Sequence, residues 1–249
     1  MSRFQPRLGR PLLAGTARPW AGTVVVSCAI LVAVLGALFA HKTTADSFDN
    51  AVDSPIIGLL SNHGGLAFQL SYPGTLYPAV ALCGITVVIC LLTGRFNGVV
   101  LAIAAVPAAD GLDDGLLKHL VDRTYFGQLT YPSGHTTAAF AIVTTIVVVF
   151  LIPPQPYGAR TIRVLLAATG CLVGIIVAIA VIALRWHTFT DTLAGAAVGI
   201  GTVCTLALIL DLFQPRARPD DDAYHQVPSR KSRTPDAEAP INDDEWLRD

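Results

Sequence analysis

Apolar residues in this chain come in long, nearly unbroken runs, and that arrangement decides what it can fold into. A helix needs about 20 mostly apolar residues to cross the hydrocarbon core of a bilayer. Six segments reach or approach that length, at about 21–40, 76–93, 98–117, 136–152, 164–184 and 191–211. The third is the weakest, because its apolar part, 99–109, runs into Asp110, Asp113 and Asp114. Charged residues make up 14% of the 249, against about 25% in soluble domains, and mean hydropathy is +0.56. A soluble globular surface needs more charge than this to stay dispersed. The expected fold is therefore an all-α integral membrane protein, a six-transmembrane-helix bundle. Residues 1–20 read as a basic cytoplasmic segment and 21–211 as the six-span membrane domain. The polar tail, 212–249, has no apolar period and is expected to be disordered.

Arg3, Arg7, Arg10 and Arg18 precede the first run, as in a secretory signal. The run is too long for a signal core and no small-residue cleavage site follows it, so it reads as an uncleaved first span. Orientation follows from Lys and Arg placement. With the N-terminus in the cytoplasm, Arg95, Arg160, Arg163 and the basic residues of the tail also fall inside. Only Lys42, Lys118, Arg123 and Arg185 fall outside. Both termini are thus expected in the cytoplasm of a multi-pass cell-membrane protein. Lys118, Arg123 and Arg185 break the charge rule on the non-cytoplasmic face and call for a functional explanation. The outer segment 41–75 carries Asp46, Asp49 and Asp53 before Ile56, Ile57, Leu59 and Leu60. It suggests a short amphipathic helix lying on the membrane surface.

Cys28, Cys83, Cys90, Cys171 and Cys204 all sit in apolar runs, without CxxC spacing or a histidine at metal-ligand spacing. They read as apolar filler, not as a disulfide framework or metal site. Two GxxxG patterns, Gly170 to Gly174 and Gly195 to Gly199, favour close packing of the fifth and sixth helices within the bundle.

Three polar clusters fall at span ends on the outer side. The first runs from Lys118 to Arg123. The second is Tyr131-Pro132-Ser133-Gly134-His135, and the third runs from Arg185 through His187 to Asp191. His187 and Asp191 are spaced i, i+4, which on a helix puts them on one face. A carboxylate there could accept a hydrogen bond from one ring nitrogen and leave the other as a nucleophile. The bland alternative is a His–Asp pair anchoring a helix end. Ser133 and Gly134 lead into the fourth span, where backbone N–H groups and the helix dipole favour an anion. His135 would sit beside it, able to protonate a leaving oxygen; the competing reading is an ordinary helix cap. Lys118, Arg123 and Arg185 supply positive charge that suits phosphoryl oxygens, or else contact lipid headgroups.

In these clusters the chain resembles the type-2 phosphatidic acid phosphatase family, the six-span lipid phosphate phosphatases. That family carries the motifs K-x6-R-P, P-S-G-H and S-R-x5-H-x3-D. Pro132-Ser133-Gly134-His135 matches the second, His187 and Asp191 match the end of the third, and Lys118 matches the start of the first. The resemblance spans roughly residues 45–211. It implies His187 as the nucleophile forming a phosphohistidine, Asp191 as its orienting partner and His135 as the acid for the leaving group. It implies Lys118, Ser133 and the Gly134 amide as phosphate holders, with no metal or other cofactor. Two motif arginines are displaced. The first-motif Arg-Pro falls on Tyr125-Phe126 with Arg123 nearby, and the third-motif Ser-Arg falls on Ala180-Val181 with Arg185 nearby. The implied function is hydrolysis of a phosphomonoester or pyrophosphate of a membrane lipid, phosphatidic acid-like or polyprenyl, at the outer face. A phosphotransferase using the same site and a non-catalytic lipid-phosphate binder or transporter are the alternatives. The expected partners are the lipid substrate and the bilayer, not nucleic acid, with oligomeric state open.

Overall fold

The structure, a computed structural model, describes residues 11–153 and 159–213. Arg3, Arg7 and Arg10, and the expected disorder of the tail beyond residue 213, lie outside the described residues. The described chain is a helical bundle. Helix α1 spans Ala17–Phe39, α2 Ser47–Leu60 and α3 Gly64–Ser71, and a 3-10 turn over Tyr72–Gly74 leads into α4, Leu76–Leu92. Helix α5 spans Phe96–Leu112 and continues through a π-helical turn, Asp113–Leu117, into α6, Lys118–Val121. A two-stranded hairpin follows, β1 Thr124–Tyr125 and β2 Gln128–Leu129, paired antiparallel with Thr124 opposite Leu129. Helix α7 spans Gly134–Ile146 with a further π-helical turn to Leu151, α8 spans Arg160–Ala183 and α9 spans Phe189–Leu212.

Five helical stretches are long and apolar enough to cross a membrane: Ala17–Phe39, Gly64–Leu92, Gly134–Leu151, Arg160–Ala183 and Phe189–Leu212. The expected third span is not one of them. Helix α5 is 17 residues long and its apolar part ends at Asp110. It is nonetheless central, packing against α4, α7 and α9 and burying Leu101, Ala102, Ala105, Val106 and Ala109. The outer faces of the long helices carry bare Ile30, Val88, Leu165 and Ile175, each about half exposed or more. Apolar surface on that scale is solvated by lipid tails, not by water.

Helix α7 is the hub, in contact with α4, α5, α8 and α9. Both GxxxG patterns face it. A Cβ on Gly195 would come 2.5 Å from the Ser133 carbonyl oxygen, and one on Gly199 2.5 Å from that of Thr137. Only hydrogen fits there, so α9 lies backbone to backbone with α7. Gly170 and Gly174 receive Val143 and Phe140 from α7 in the same way.

The 41–75 segment differs from the expected single surface helix. It forms two helices, and the second runs through the 3-10 turn into α4, so that this stretch begins at Gly64 and not at 76. Asp49 and Asp53 of α2 are buried, and α2 packs on α8 and α9. At the opposite end of the bundle, the amides of Leu12 and Leu13 donate to Asp211 Oδ1 and Oδ2 at 2.7 and 3.0 Å. The start and finish of the described chain are thus tied together at one end, away from the three polar clusters.

Candidate active site

The three clusters meet around one cavity of about 730 Å³. Lys118, Gly134, His135, Arg185 and His187 line it, with Asp110 and Asp114 from α5 and its π-helical turn, and Tyr125, Phe126 and Gln128 from the hairpin. Its apolar wall comes from Leu76, Ala79, Val106, Ala138 and Leu184. The rings of His135 and His187 have centroids 6.5 Å apart. Lys118 Nζ is 2.5 Å from Asp114 Oδ1 and 3.8 Å from where a methyl on Gly134 would sit. These groups, one ammonium, the first amides of α7 without a side-chain cap and two imidazoles, have the chemistry that suits an anion.

His187 is not oriented as its spacing from Asp191 suggests. Helix α9 begins at Phe189 with Thr188 as N-cap, so His187 precedes the helix and the i, i+4 face does not exist. Its Nδ1 lies 3.0 Å from the Thr130 carbonyl oxygen. A carbonyl only accepts, so Nδ1 carries the hydrogen and Nε2 keeps its lone pair. Burial, reinforced by the charge of Lys118, pushes the His187 pKa down to about 3. The imidazole is therefore neutral over the physiological range.

Asp191 works elsewhere. Its Oδ2 accepts from the Thr188 amide at 3.0 Å, closing a capping box at the start of α9. Its Oδ1 receives Arg123 Nη1 at 2.7 Å. Arg123 is also not where a phosphate ligand would be. It is 1% exposed, does not line the cavity, and donates through Nη2 to Asp49 Oδ2 at 2.6 Å and through Nη1 to Thr190 Oγ1 at 2.7 Å. The Phe39 ring covers it, with its centroid 4.3 Å from Cζ. The Ser133 hydroxyl is likewise turned inward, 3.1 Å from Thr136 Oγ1, and is fully buried.

Arg185 does line the cavity, but not from one helical turn beyond position 181. Helix α8 has already ended at Ala183. The Arg185 amide donates to the Ile182 carbonyl at 2.8 Å and that of Trp186 to Val181 at 3.0 Å. This is the paired closure of a Schellman cap, with Arg185 at the left-handed position, φ +57. The hairpin accounts for the other displaced arginine. Phe126 and Gly127 have φ +48 and +78, the signature of a type I′ turn. Proline holds φ near −65° and cannot occupy the first of these. Where the family has Arg-Pro, this chain turns back on itself and lays Tyr125 and Phe126 over the cavity.

Asp49, Asp53, Asp114 and the Thr130 carbonyl were not among the expected site groups. Asp49 and Asp53 sit in a segment whose apolar residues suggested a lipid surface. Their signal was four-residue spacing on one helix, which in α2 faces protein. Among the described residues no group of three or more His, Cys, Asp or Glu is placed to hold a metal ion.

Comparison with known proteins fits this architecture. No curated protein matches the chain. A solved structure, the crystal structure of the first transmembrane PAP2 type phosphatidylglycerolphosphate phosphatase from Bacillus subtilis, superposes with a TM-score of 0.59 at 14% identity. The likeness covers 78% of this chain and 98% of that one, and it shows a shared fold. The family model described as PAP2 superfamily matches residues 79–215, a stretch that holds the cavity's helices α5 and α7, the hairpin and His187. With more than half of its sequence matched and the fold to accompany it, this multi-pass membrane protein belongs to the PAP2 superfamily.

Proposed function

We propose that the protein is a lipid-phosphate phosphatase that hydrolyses a phosphomonoester or pyrophosphate of a membrane lipid, through a phosphohistidine at His187. The supporting observation is the shared cavity, with a neutral histidine of defined tautomer facing a second histidine 6.5 Å away beside Lys118 and Arg185. A binder needs the cations; it does not need an unprotonated Nε2 facing a second imidazole.

In the proposed reaction the phosphoryl group rests against Lys118, Arg185 and the first amides of α7. His187 Nε2 attacks phosphorus, the P–N bond forms and the P–O bond to the lipid breaks. His135 gives its proton to the departing oxygen, which leaves as the lipid alcohol from a monoester or as the lipid monophosphate from a pyrophosphate. The neutral His135 then takes a proton from water as that water attacks the phosphohistidine. The P–N bond breaks, inorganic phosphate leaves and both histidines are restored. Arg123 and Asp191 hold the framework and do not touch the phosphate. Leu76, Ala79, Val106 and Ala138 would take the first carbons of the lipid.

The test is phosphate release by purified protein in mixed micelles. The panel is phosphatidic acid, a polyprenyl phosphate, a polyprenyl pyrophosphate and phosphatidylglycerol phosphate, the last for its link to the structurally similar phosphatidylglycerolphosphate phosphatase. Release from at least one substrate, lost in His187→Ala, is expected. Binding without release by the wild type would leave only the binder reading.

A further inference from the structure

The family match begins at residue 79, yet a fully buried carboxylate that binds Thr190, three residues after His187, comes from α2, at residues 47–60. Asp49 is 0% exposed. Its Oδ1 accepts from the Thr190 amide at 3.0 Å, and its Oδ2 accepts from the Thr190 hydroxyl at 2.9 Å and from Arg123 at 2.6 Å. One turn further along α2, Asp53 Oδ1 accepts from the Phe189 amide at 3.1 Å. Asp191 takes the Thr188 amide. Three consecutive amides at the start of α9, 188 to 190, are therefore each held by a different carboxylate, and two of the carboxylates come from α2. The Arg123 guanidinium bridges Asp49 and Asp191.

The backbone of Arg123 reaches His187 by a second route. Its carbonyl accepts the Thr130 amide at 3.0 Å, closing the hairpin, and the Thr130 carbonyl takes His187 Nδ1. One residue thus fixes the start of α9, immediately after His187, and also the acceptor that sets the His187 tautomer. We infer that Asp49, Asp53 and Arg123 form a positioning node that aims His187, and that α2 is a working part of the site supplied from outside residues 79–215, the stretch that the family model matches. Asp49 is the positioning residue on which the node turns, because it alone joins α2, Arg123 and α9. Misplacing a reacting group by about 1 Å can cost roughly 100-fold in rate, so a node that holds backbone and side chain together has a direct kinetic consequence.

This inference rests on His187 being the reacting group, so the experiment reads the node in two ways. Asp49→Asn keeps size and an acceptor but removes the charge facing Arg123. The purified variant is compared with wild type by thermal unfolding in detergent, by phosphate release, and by hydrogen exchange of peptides covering 185–192. The expected result is a folded protein with kcat roughly 10- to 100-fold lower, KM little changed, and faster exchange at 188–190. A merely structural residue would lower the unfolding temperature and leave kcat of the folded fraction alone. A folded variant with wild-type kcat and wild-type exchange overturns the inference. If Asp49→Asn does not fold, Asp53→Ala, which removes the acceptor for the Phe189 amide, is judged by the same two readouts with the same meaning. If wild type releases phosphate from no lipid, the proposed function fails. The exchange of 185–192 then decides the node alone: faster exchange keeps it, unchanged exchange overturns it.

Discussion

His187 takes its orientation from a backbone carbonyl, and a carbonyl, unlike a carboxylate, brings no negative charge to favour the imidazolium. Burial, with the charge of Lys118, keeps the ring neutral down to a pKa of about 3, and the hydrogen bond to Thr130 opposes this only in part. The sign follows. A histidine whose folded pKa lies below its ordinary 6.5 destabilises the fold as pH falls from about 6.5 toward 3, because the unfolded chain takes up the proton first. Nitrogen-15 NMR of the labelled protein should show His187 with a protonated Nδ1 and a bare Nε2 from pH 8 to pH 5. A ring that titrates near 6.5 would count against the site geometry. His135→Ala should slow turnover about 10²–10⁴-fold, the usual size of a lost general acid. Its effect should not add to that of His187→Ala, since the two act as one unit. Arg185 carries a second prediction. A non-glycine residue in the left-handed region costs about 1–2 kcal/mol, and glycine is the usual occupant of that cap. Arg185→Gly should unfold at the same temperature as wild type or higher, yet lose kcat/KM because the cavity loses a cation. Arg185→Lys keeps the charge without the forked geometry and should fall between the two. A silent Arg185→Lys together with a silent Arg185→Gly would make Arg185 a cap and nothing more. Lys118, Gly134, His135, Arg185 and His187 were legible as cavity residues because short motifs at span ends fix their place. Arg123, Ser133 and Asp191 were legible as neighbours of the cavity residues in sequence, and not in the contacts they make. Side-chain direction there is set by partners, such as Asp49 and Thr136, that no local spacing reveals.

At the scale of elements, α2 shows where pattern reading fails. Its Ile and Leu residues suggested a helix floating on lipid, but the face that docks it is acidic. An amphipathic reading scores apolar stripes, and a pair of carboxylates aimed at the amides of another helix leaves no such stripe. The long helices were legible because bilayer thickness imposes one length on all of them. The hairpin was not, since two residues per strand are too few for an alternating pattern. Asp53 makes the docking of α2 pH-dependent. Burial raises its carboxyl pKa from 3.8 to about 7, and neighbouring Asp49, with Asp191 further off, adds to this. The Phe189 amide and Arg123 oppose it. Folded protein then binds a proton that the unfolded chain has already lost, so stability falls as pH rises from about 4 toward 7. Asp53→Asn keeps the acceptor for Phe189 and removes the titration. In detergent the unfolding temperature of wild type should decline between pH 5 and pH 8, and that of the variant should decline less and exceed wild type at pH 8. Parallel curves would assign the slope to another group.

For the whole molecule the open matter is which face of the membrane the cavity meets, and charge alone gives a weaker answer than contacts do. Among the described residues, Arg18, Arg95, Arg160 and Arg163 belong to the end where Leu12, Leu13 and Asp211 meet. Arg18 is 3.4 Å from Asp211, Arg95 Nη1 donates to the Val149 carbonyl and Arg163 Nη1 to that of Leu151. Lys42, Lys118, Arg123 and Arg185 belong to the cavity end, so a bare count over these residues is even. Pairing together with the remaining sequence breaks the tie. Lys118 is matched by Asp114 and Arg123 by Asp49 and Asp191, which leaves Lys42 and Arg185 as the cavity end's uncompensated cations among the described residues. The opposite end keeps Arg160 and Arg163 without carboxylate partners among the described residues, and the sequence adds Arg3, Arg7 and Arg10 before α1. Positive residues that face lipid headgroups orient a membrane protein, and those already neutralised inside a site do not. The cavity is therefore expected to face away from the cytoplasm. On this ordering α5 would also cross, since α4 and α7 begin at the cavity end and α5 with α6 carries the chain from Leu92 back to Gly134. In a cysteine-free background, cysteines at Thr43 and Asn62, exposed beside α2, should react with a membrane-impermeant thiol reagent in intact cells. A cysteine at exposed Leu92, at the end of α4, should react only after permeabilisation. Labelling of all three from outside would mean that α4 does not cross. The reverse pattern would put the cavity in the cytoplasm, together with whichever pool of lipid phosphate it serves.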